Sequence, residues 1–337
     1  GPYQLDATVF HAAVAGGAHT HCKAFIATWK RFAECEDAPM SLGKYRDFQR
    51  IWRELRPTET MPVEAFAFVD EDSFLLEVNS VGVTMTPGGW PSLEFAAAHL
   101  LVALARPEHW RKGKLLLATG EYVTHLAQDT IDQLVAYAEG GGCLYMRADA
   151  GRYCLERPGE DWVLLRRLGI APPTEGCEKD YYRDAATADG EAFRLRDSWQ
   201  IEPVGVTLAT FAHNDAPALS RIPFGKGSVI VRWAQTVVPP SHKTAHSILA
   251  DVAELAGVKR HARANHPRLW THLLKHRTKP TWYALVYAGP WHRPPNQDPV
   301  ASRTWWPHLP DGSYHVTELI HQRDLGAHDA EALRSKG

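Results

Sequence analysis

Residues 114–147 combine two continuous apolar runs with one amphipathic segment, and this pattern predicts a β-α-β unit of a parallel sheet. Leu115–Ala118 is apolar throughout, as in a strand that is covered on both faces. Residues 128–139 instead repeat apolar side chains at helical spacing. The three glycines at 140–142 end this helix, since glycine readily adopts the left-handed backbone of a helix C-terminus. A second apolar strand is predicted directly after them, at 143–147.

The alternation of strands and helices continues over residues 61–257 and predicts a doubly wound, flavodoxin-like α/β layer with a parallel sheet. The predicted strands are 63–69, 114–118, 143–147, 204–211 and 228–233. The predicted helices are 92–104, 128–139, 160–168 and 242–256.

The residues before this layer predict helix, strand and helix, with helices at 8–15 and 44–55 and a strand at 22–29. A single strand between two helices cannot close a sheet. We therefore expect this segment either to join the sheet of the next domain or to be the tail of a larger barrel.

The residues after 258 change to short β-rich pieces separated by prolines, at 268–275, 283–288 and 313–319. This pattern predicts a small antiparallel β domain. The turn at 311–312 leads into a strand for which no closing strand is predicted, so we expect this domain to be incomplete. The start at Gly1 without a methionine and the end without a terminating element predict a piece of a longer protein.

The composition is that of an ordinary globular protein and excludes several classes. The chain has 37 Lys and Arg residues and 39 Asp and Glu residues, which give a formal charge of -2. It therefore lacks the excess of basic residues that is typical of nucleic-acid-binding proteins. No apolar run approaches the roughly 20 residues that span a bilayer. Five scattered cysteines favour reduced thiols and a cytoplasmic location. The 12 tryptophans suit sugar recognition, although tryptophan is more often a core residue.

The order of these segments resembles the family 42 β-galactosidases. The β-α-β unit, followed by LLRRLGI at 164–170, looks like the trimerisation domain of that family, which is similar in fold to the class I glutamine amidotransferases but is non-catalytic. FHAAVAGGA at 10–18 and FIATWKR at 25–31 resemble the seventh unit and eighth strand of the family's (β/α)8 barrel. FGKGSV at 224–229 resembles a late strand of the trimerisation domain, and LPDGSYHV at 309–316 resembles the terminal β domain.

The resemblance implies three domains and a function. Residues 1–58 would be the tail of a TIM barrel, 61–258 the amidotransferase-like trimerisation domain, and 265–337 a C-terminal β domain. The chain would be the C-terminal portion of a retaining, β-galactosidase-like glycoside hydrolase that forms homo-oligomers, acts on β-linked carbohydrate and needs no cofactor. The alternative is a stand-alone, non-catalytic amidotransferase-like module for binding or oligomerisation.

The catalytic carboxylates are expected outside this chain. A retaining glycosidase uses two carboxyl groups about 5 to 5.5 Å apart. The family carries them at the ends of barrel strands four and seven, and the resemblance begins after strand seven. Glu34, Glu36 and Asp37 lie on one loop and are better explained as a solvated acidic segment.

Three residues after the predicted eighth barrel strand are candidates for substrate binding, because barrel active sites lie at the C-terminal ends of the strands. Trp29 offers an aromatic platform for a sugar ring, or else is a core residue that closes the barrel. The family follows the corresponding tryptophan with an arginine and a sugar-binding glutamate. Lys30 or Arg31, and Glu34, stand roughly at those places.

Two other clusters have weaker signals. His19, His21 and Cys22 are suitable zinc ligands, but alternation along a strand places Cys22 on the face opposite the histidines, and no metal is expected. Residues 70–72 are acidic and follow a predicted strand at the edge where α/β sheets bind ligands, but such a run is more often a solvated loop or a charge cluster at a helix N-terminus.

Cys143 could suggest an amidotransferase nucleophile because three glycines precede it. That chemistry needs a cysteine on a sharp strand-to-helix turn, whereas Cys143 opens a predicted strand. Residues 225–227 are too short for a phosphate-binding loop and predict a hairpin turn.

Overall fold

The computed structural model describes residues 50, 53–55, 57–68, 94–95, 97–105, 107–120, 123–174, 176–238, 246–267, 269–288, 303–319 and 322–335. Their contacts divide them into two units, one from Val63 to Arg260 and one formed by the described residues on either side of it. The predicted helix at 8–15 and strand at 22–29 lie outside the described residues, and the three-domain division stays a prediction.

The elements of both units are numbered here in chain order. The strands are β1 (Thr58–Thr60), β2 (Ala65–Phe68), β3 (Val102–Ala105), β4 (Leu115–Ala118), β5 (His125–Leu126), β6 (Cys143–Arg147), β7 (Tyr153–Cys154), β8 (Glu178–Thr187), β9 (Ala192–Ser198), β10 (Val206–Phe211), β11 (Pro217–Phe224), β12 (Gly227–Arg232), β13 (Ala234–Val237), β14 (Arg263–Ala264), β15 (Leu269–His276), β16 (Trp282–Ala288), β17 (Thr304–Trp305), β18 (Ser313–Glu318) and β19 (Arg323–Asp329). The helices are α1 (Pro107–Trp110), α2 (Gln128–Glu139), α3 (Val163–Arg167), α4 (Ile248–Leu255) and α5 (Ala330–Arg334). None of the helices in the described ranges is long and apolar enough to cross a bilayer.

The centre of the first unit is a run of parallel strands in the order β12-β6-β4-β2-β3. Successive side chains of β4 point to opposite faces, as strand geometry requires. Leu116 joins the cluster that contains Leu134 of α2, and Leu115 joins the cluster that contains Val252 of α4. Both faces are therefore covered, which explains why β4 is apolar at every position. The predicted β-α-β unit is confirmed, and α2 and β6 have the predicted bounds.

The second half of the same sheet is antiparallel and curls back on itself. Its order is β13-β9-β8-β10-β11-β12, so β12 and β13 lie five strands apart although only Trp233 separates them in sequence. Trp233 joins the two ends, because its N–H donates to the carbonyl of Ala218 at 3.0 Å and its carbonyl accepts from the N–H of Trp199 at 3.0 Å. Phe193 and Phe211 of the curled half join the same core cluster as Leu115 and Val252, so the core on this face is continuous across both halves of the sheet.

The sheet confirms a mixed α/β class and corrects parts of the sequence interpretation. Strands β8, β9, β11 and β13 were not predicted, and the flavodoxin-like arrangement stays a prediction. The predicted helix at 92–104 is wrong in its second half, because Val102–Ala105 forms β3 and pairs in parallel with β2. Residues 100–105 are apolar without a break, and such a run fits a buried strand as well as a helix.

The second unit contains small antiparallel sheets, as predicted. One has the order β1-β15-β16, and its core cluster joins Leu55, Leu274 and Leu285. Strands β18 and β19 form a hairpin whose register runs from Ser313 opposite Asp329 to Glu318 opposite Arg323. The expectation that no strand closes the 313–319 strand is therefore wrong. Sequence patterning misses β19 because it is polar and exposed along most of its length.

Candidate functional site

The substrate-binding residues predicted from the resemblance, Trp29, Lys30 and Glu34, lie outside the described residues, and their role stays a prediction. Two other clusters of the sequence also lie outside the described residues. They are His19, His21 and Cys22, and the acidic residues at 70–72. Among the residues that the structure describes, no three His, Cys, Asp or Glu side chains come together as a possible metal site.

Cys143 is the first residue of β6, as the sequence predicts, and only 6% of it is exposed. It lies beside Ser228 of the parallel strand β12. Burial raises the pKa of the Cys143 thiol above its ordinary value, although a hydrogen bond with Ser228 works in the opposite direction. A nucleophilic cysteine needs the reverse, a lowered pKa and an exposed thiolate. Cys143 therefore has the environment of a core residue.

The carboxyl ends of the parallel strands, where open α/β sheets usually bind ligands, hold a buried ion pair between Arg147 and Asp149. The guanidinium donates from Nε to Oδ1 at 2.9 Å and from Nη2 to Oδ2 at 2.7 Å. Its Nη1 donates to the carbonyl of Gly120, after β4, at 2.7 Å. The side chain of Gln235 in β13 donates to Asp149 at 3.1 Å. The pair thus ties together the ends of three strands.

A second buried cation, Arg232, ends β12 and is bonded in the same way. Its Nε and Nη2 donate to the carbonyls of Ala234 and Gln235, at 3.1 Å and 2.7 Å. Its Nη1 lies 3.2 Å from Oε2 of Glu94, and the hydroxyl of Tyr145 donates to Oε1 of Glu94 at 3.3 Å. Sequence reasoning missed both arginines, although each is a charged residue at the end of an otherwise apolar strand. These groups bond one another, so they stabilise the edge and offer little to a ligand.

The opposite end of the parallel strands contains a cavity with a volume of about 1140 Å³. It lies at the start of β4, β6 and β12 and beside the ends of α2 and α4. Its lining residues are Trp110, Arg111, Gly113, Lys114, Gln133, Ala136, Tyr137, Gly140, Gly141, Gly142, Cys143, Arg221, Lys226, Gly227, Ser228, Leu255 and Ala256. Four of these side chains are cationic and none is a carboxylate.

The cationic side chains of this cavity differ in how they are paired. Lys114 forms an ion pair with Glu64 at 2.8 Å and also donates to the carbonyl of Gly257 at 2.9 Å. Arg111, Arg221 and Lys226 form no ion pair with any residue that the structure describes. The lining therefore has an excess of positive charge.

Two aromatic side chains stand out on the surface of the curled half of the sheet. Tyr181 and Tyr182 of β8 are 59% and 54% exposed. The guanidinium of Arg183 lies 5.1 Å from the ring centre of Tyr181, and that of Arg196 lies 5.6 Å from the ring centre of Tyr182. Arg196 is in turn held by Asp180 at 2.8 Å. Each ring thus has a guanidinium beside it and remains accessible.

The chain matches no protein-family model and no curated protein. It does match solved β-galactosidases. Gan42B, a GH42 β-galactosidase from G. stearothermophilus, aligns at 14% identity and a TM-score of 0.57, over 84% of this chain and 41% of its own. The β-galactosidase from Bacillus circulans sp. alkalophilus aligns at 13% identity and a TM-score of 0.54, over 92% of this chain and 44% of its own.

A third β-galactosidase, from Rahnella sp. R3, aligns at 14% identity and a TM-score of 0.51, over 71% of this chain and 38% of its own. The resemblance in fold to family 42 β-galactosidases is thereby confirmed over most of the chain. The chain spans less than half the length of each of these three enzymes.

Proposed function

We propose that this chain is the C-terminal portion of a β-galactosidase-like, retaining glycoside hydrolase that acts on β-linked carbohydrate in the cytoplasm. The observation that carries the proposal is the shared fold, which extends over 84% of this chain but only 41% of the matched enzyme. The catalytic carboxylates then lie upstream of Gly1, and this chain supplies a non-catalytic module.

The chemistry of the α/β unit supports a non-catalytic role. Cys143, the cysteine that three glycines precede, opens a strand, is buried there and has a raised pKa. At the ligand-binding edge, Arg147 is bonded to Asp149, and Arg232 is bonded to Glu94. A general acid or base needs an atom that can exchange a proton with the substrate. The buried charges at this edge bond one another instead, as buried charges in a folded protein generally do.

We assign to this unit the assembly of a homo-oligomer, a trimer in the family that the chain resembles. Tyr181 and Tyr182 support this assignment, because aromatic residues and arginine are enriched in the cores of protein interfaces. Arg183 and Arg196 stack on the two rings and reduce the side-chain entropy that association would otherwise cost.

The substrate contact of this chain is assigned to Trp29, Lys30 and Glu34. Trp29 would stack on a sugar ring, and Lys30 and Glu34 would bond its hydroxyl groups, as the family resemblance implies. These residues would complete an active site whose acid and nucleophile belong to the upstream barrel.

The coding sequence on the 5′ side of Gly1 tests the catalytic part of this proposal. Barrel strands that carry carboxylates at the ends of strands four and seven would support it. A start codon directly before Gly1 would overturn it and favour the stand-alone binding or oligomerisation module. In parallel, the chain alone should not hydrolyse 4-nitrophenyl β-galactoside, and steady turnover by the chain alone would contradict the proposed location of the carboxylates.

Light scattering coupled to size-exclusion chromatography tests the assembly. We expect the chain to be a trimer and the double variant Tyr181→Ser/Tyr182→Ser to shift to monomer. Leu325→Ser is the matched control, since Leu325 is an apolar residue that is 53% exposed elsewhere in the chain. A monomeric parent chain, or a double variant with unchanged mass, would contradict the assignment.

A further inference from the structure

The cavity at the start of β4, β6 and β12 concentrates positive charge that no ion pair among the described residues neutralises. Arg111 follows α1, Arg221 belongs to β11, and Lys226 lies in the turn between β11 and β12, so two separate chain segments bring three cations to one space. None of the three forms an ion pair with a described residue. The contrast with Arg147 and Arg232, which are fully bonded at the other edge, marks this cavity as unusual within the unit.

The negative C-terminal ends of two helices offset only part of the positive charge in this cavity. The ends of α2 and α4 lie at the cavity, and each contributes roughly half a negative charge. Their sum, about one negative charge, is well below the three unpaired cations. The ammonium group of Lys114 already bonds the C-terminal end of α4, because it donates to the carbonyl of Gly257. The carbonyl of Glu139 at the end of α2 accepts from the backbone N–H of Lys226, so this bond does not use the ammonium group.

The other titratable groups of the lining add no negative charge. Burial raises the pKa of Tyr137 and of Cys143, so both side chains stay neutral at physiological pH. Glu139 is outside the lining but borders the turn that holds Lys226, and its carboxylate forms no ion pair within the described part of the chain, so it supplies one negative charge against the three cations. Glu64 forms its ion pair with Lys114 and also accepts a hydrogen bond from the backbone N–H of Lys259 at 2.7 Å.

We propose that this cavity binds a multiply charged anion that presents two or more phosphate or sulfate groups to Arg111, Arg221 and Lys226. Guanidinium groups bond such groups through two parallel N–H donors, and an ammonium adds a point charge. The volume of about 1140 Å³ exceeds what a single phosphate fills and suits a ligand of nucleotide or oligosaccharide size. This site lies within the α/β unit and does not depend on the proposed hydrolase function.

Isothermal titration calorimetry of the whole chain at low ionic strength tests the site with two probes. Inorganic tripolyphosphate represents phosphorylated small ligands, and a heparin-derived tetrasaccharide represents sulfated glycans. We expect saturable binding that weakens as salt is added, because salt screens charges. Saturation by tripolyphosphate alone would support the site and identify a phosphorylated ligand. Saturation by the tetrasaccharide alone would support it and identify a sulfated one.

Substitutions of the cavity cations test whether the ligand binds in this cavity. We expect Arg221→Gln and Lys226→Gln each to weaken it about tenfold, since hydrogen bonds to charged groups are worth about 1.5 kcal/mol or more. Lys226 is exposed in a turn, so its variant should fold normally. Lys179→Gln removes an equal charge from exposed strand β8, outside the cavity, and should bind like the parent chain. Failure of both probes to saturate, or equal binding by all variants, would overturn the proposal.

Discussion

Arg232 and Glu94 are 138 positions apart in the sequence, and their side chains form an ion pair with 3.2 Å between Nη1 and Oε2. Only 2% of the arginine side chain and 9% of the glutamate side chain are exposed. Arg232 lies at the point where the sheet passes from β12 into β13. The pair therefore anchors the helical segment that contains Glu94 to the junction between the parallel and the curled halves of the sheet.

Removing the charge of Glu94 should destabilise the unit strongly. We expect Glu94→Gln to lower the free energy of unfolding by about 3 kcal/mol, because the buried guanidinium of Arg232 loses its counter-charge. Urea denaturation followed by circular dichroism measures this. Asp132→Asn is the control, since its pair with Arg167 is half exposed and should cost less than about 1 kcal/mol. Equal losses in the two variants would show that burial does not strengthen the Arg232 pair.

Gly227 should tolerate no larger side chain. A Cβ at this position would lie 2.2 Å from the carbonyl oxygen of Gly142 and 2.5 Å from that of Ala138. Both neighbours are backbone atoms, so the strand would have to move. We expect Gly227→Ala to lower the free energy of unfolding by about 2 kcal/mol or more. Gly176→Ala, which meets no atom within 4 Å, should change it by less than about 1 kcal/mol. A Gly227 variant as stable as the parent would contradict this packing.

The elements that sequence reasoning predicted well are those whose pattern is complete within a few residues. Leu115–Ala118 and α2 belong to this class, because burial on two faces, or on one helical face, leaves a local apolar signature. Strand β8 leaves no such signature, because half of its residues are exposed and only one is buried. Its position depends on pairing with β9 and β10 in the curled sheet.

The polar features of the α/β unit were less accessible to sequence reasoning. The bond between Arg232 and Glu94 joins residues too far apart for any local pattern to connect them. In the cationic cavity, Arg221 and Lys226 share the β11–β12 hairpin, and only the order of strands in the sheet brings Arg111, which follows α1, to the same edge. Cys143 is the contrasting case, since its place at the start of a strand was predictable from the glycines that precede it.

Cys143 should be inert in the folded protein. Its burial and raised pKa leave little thiolate at neutral pH, and the thiolate is the reactive species. We expect iodoacetamide at pH 7.5 to alkylate Cys143 far more slowly in the native chain than in urea, as measured by mass spectrometry of its peptide. The half-buried Cys177, whose pKa is raised to about 11, should also react slowly. Rapid alkylation of native Cys143 would instead indicate an activated thiol and contradict the non-catalytic assignment.

His246 should make the stability of the α/β unit depend on pH. Burial by itself would lower the pKa of this histidine, and the positive charge of Arg260 acts in the same direction. Two carboxylates oppose them, since Nε2 lies 2.6 Å from Asp251 and Nδ1 lies 3.8 Å from Glu191. The carboxylates prevail, so the pKa of His246 is raised above its ordinary value of 6.5. A group whose pKa is raised by folding binds its proton more tightly in the native state. Its contribution to stability is therefore fully present below about pH 6.5 and is lost as the pH rises through the raised value.

The difference in unfolding free energy between the parent chain and His246→Gln isolates this effect. We expect the difference to be largest near pH 6 and to shrink toward pH 8.5 in urea titrations at constant ionic strength. Asp251→Asn should flatten the same pH dependence, because it removes the partner that forms the hydrogen bond. A difference that grows with pH would mean that His246 is stabilised in its neutral form, against the pairing with Asp251 that the structure shows.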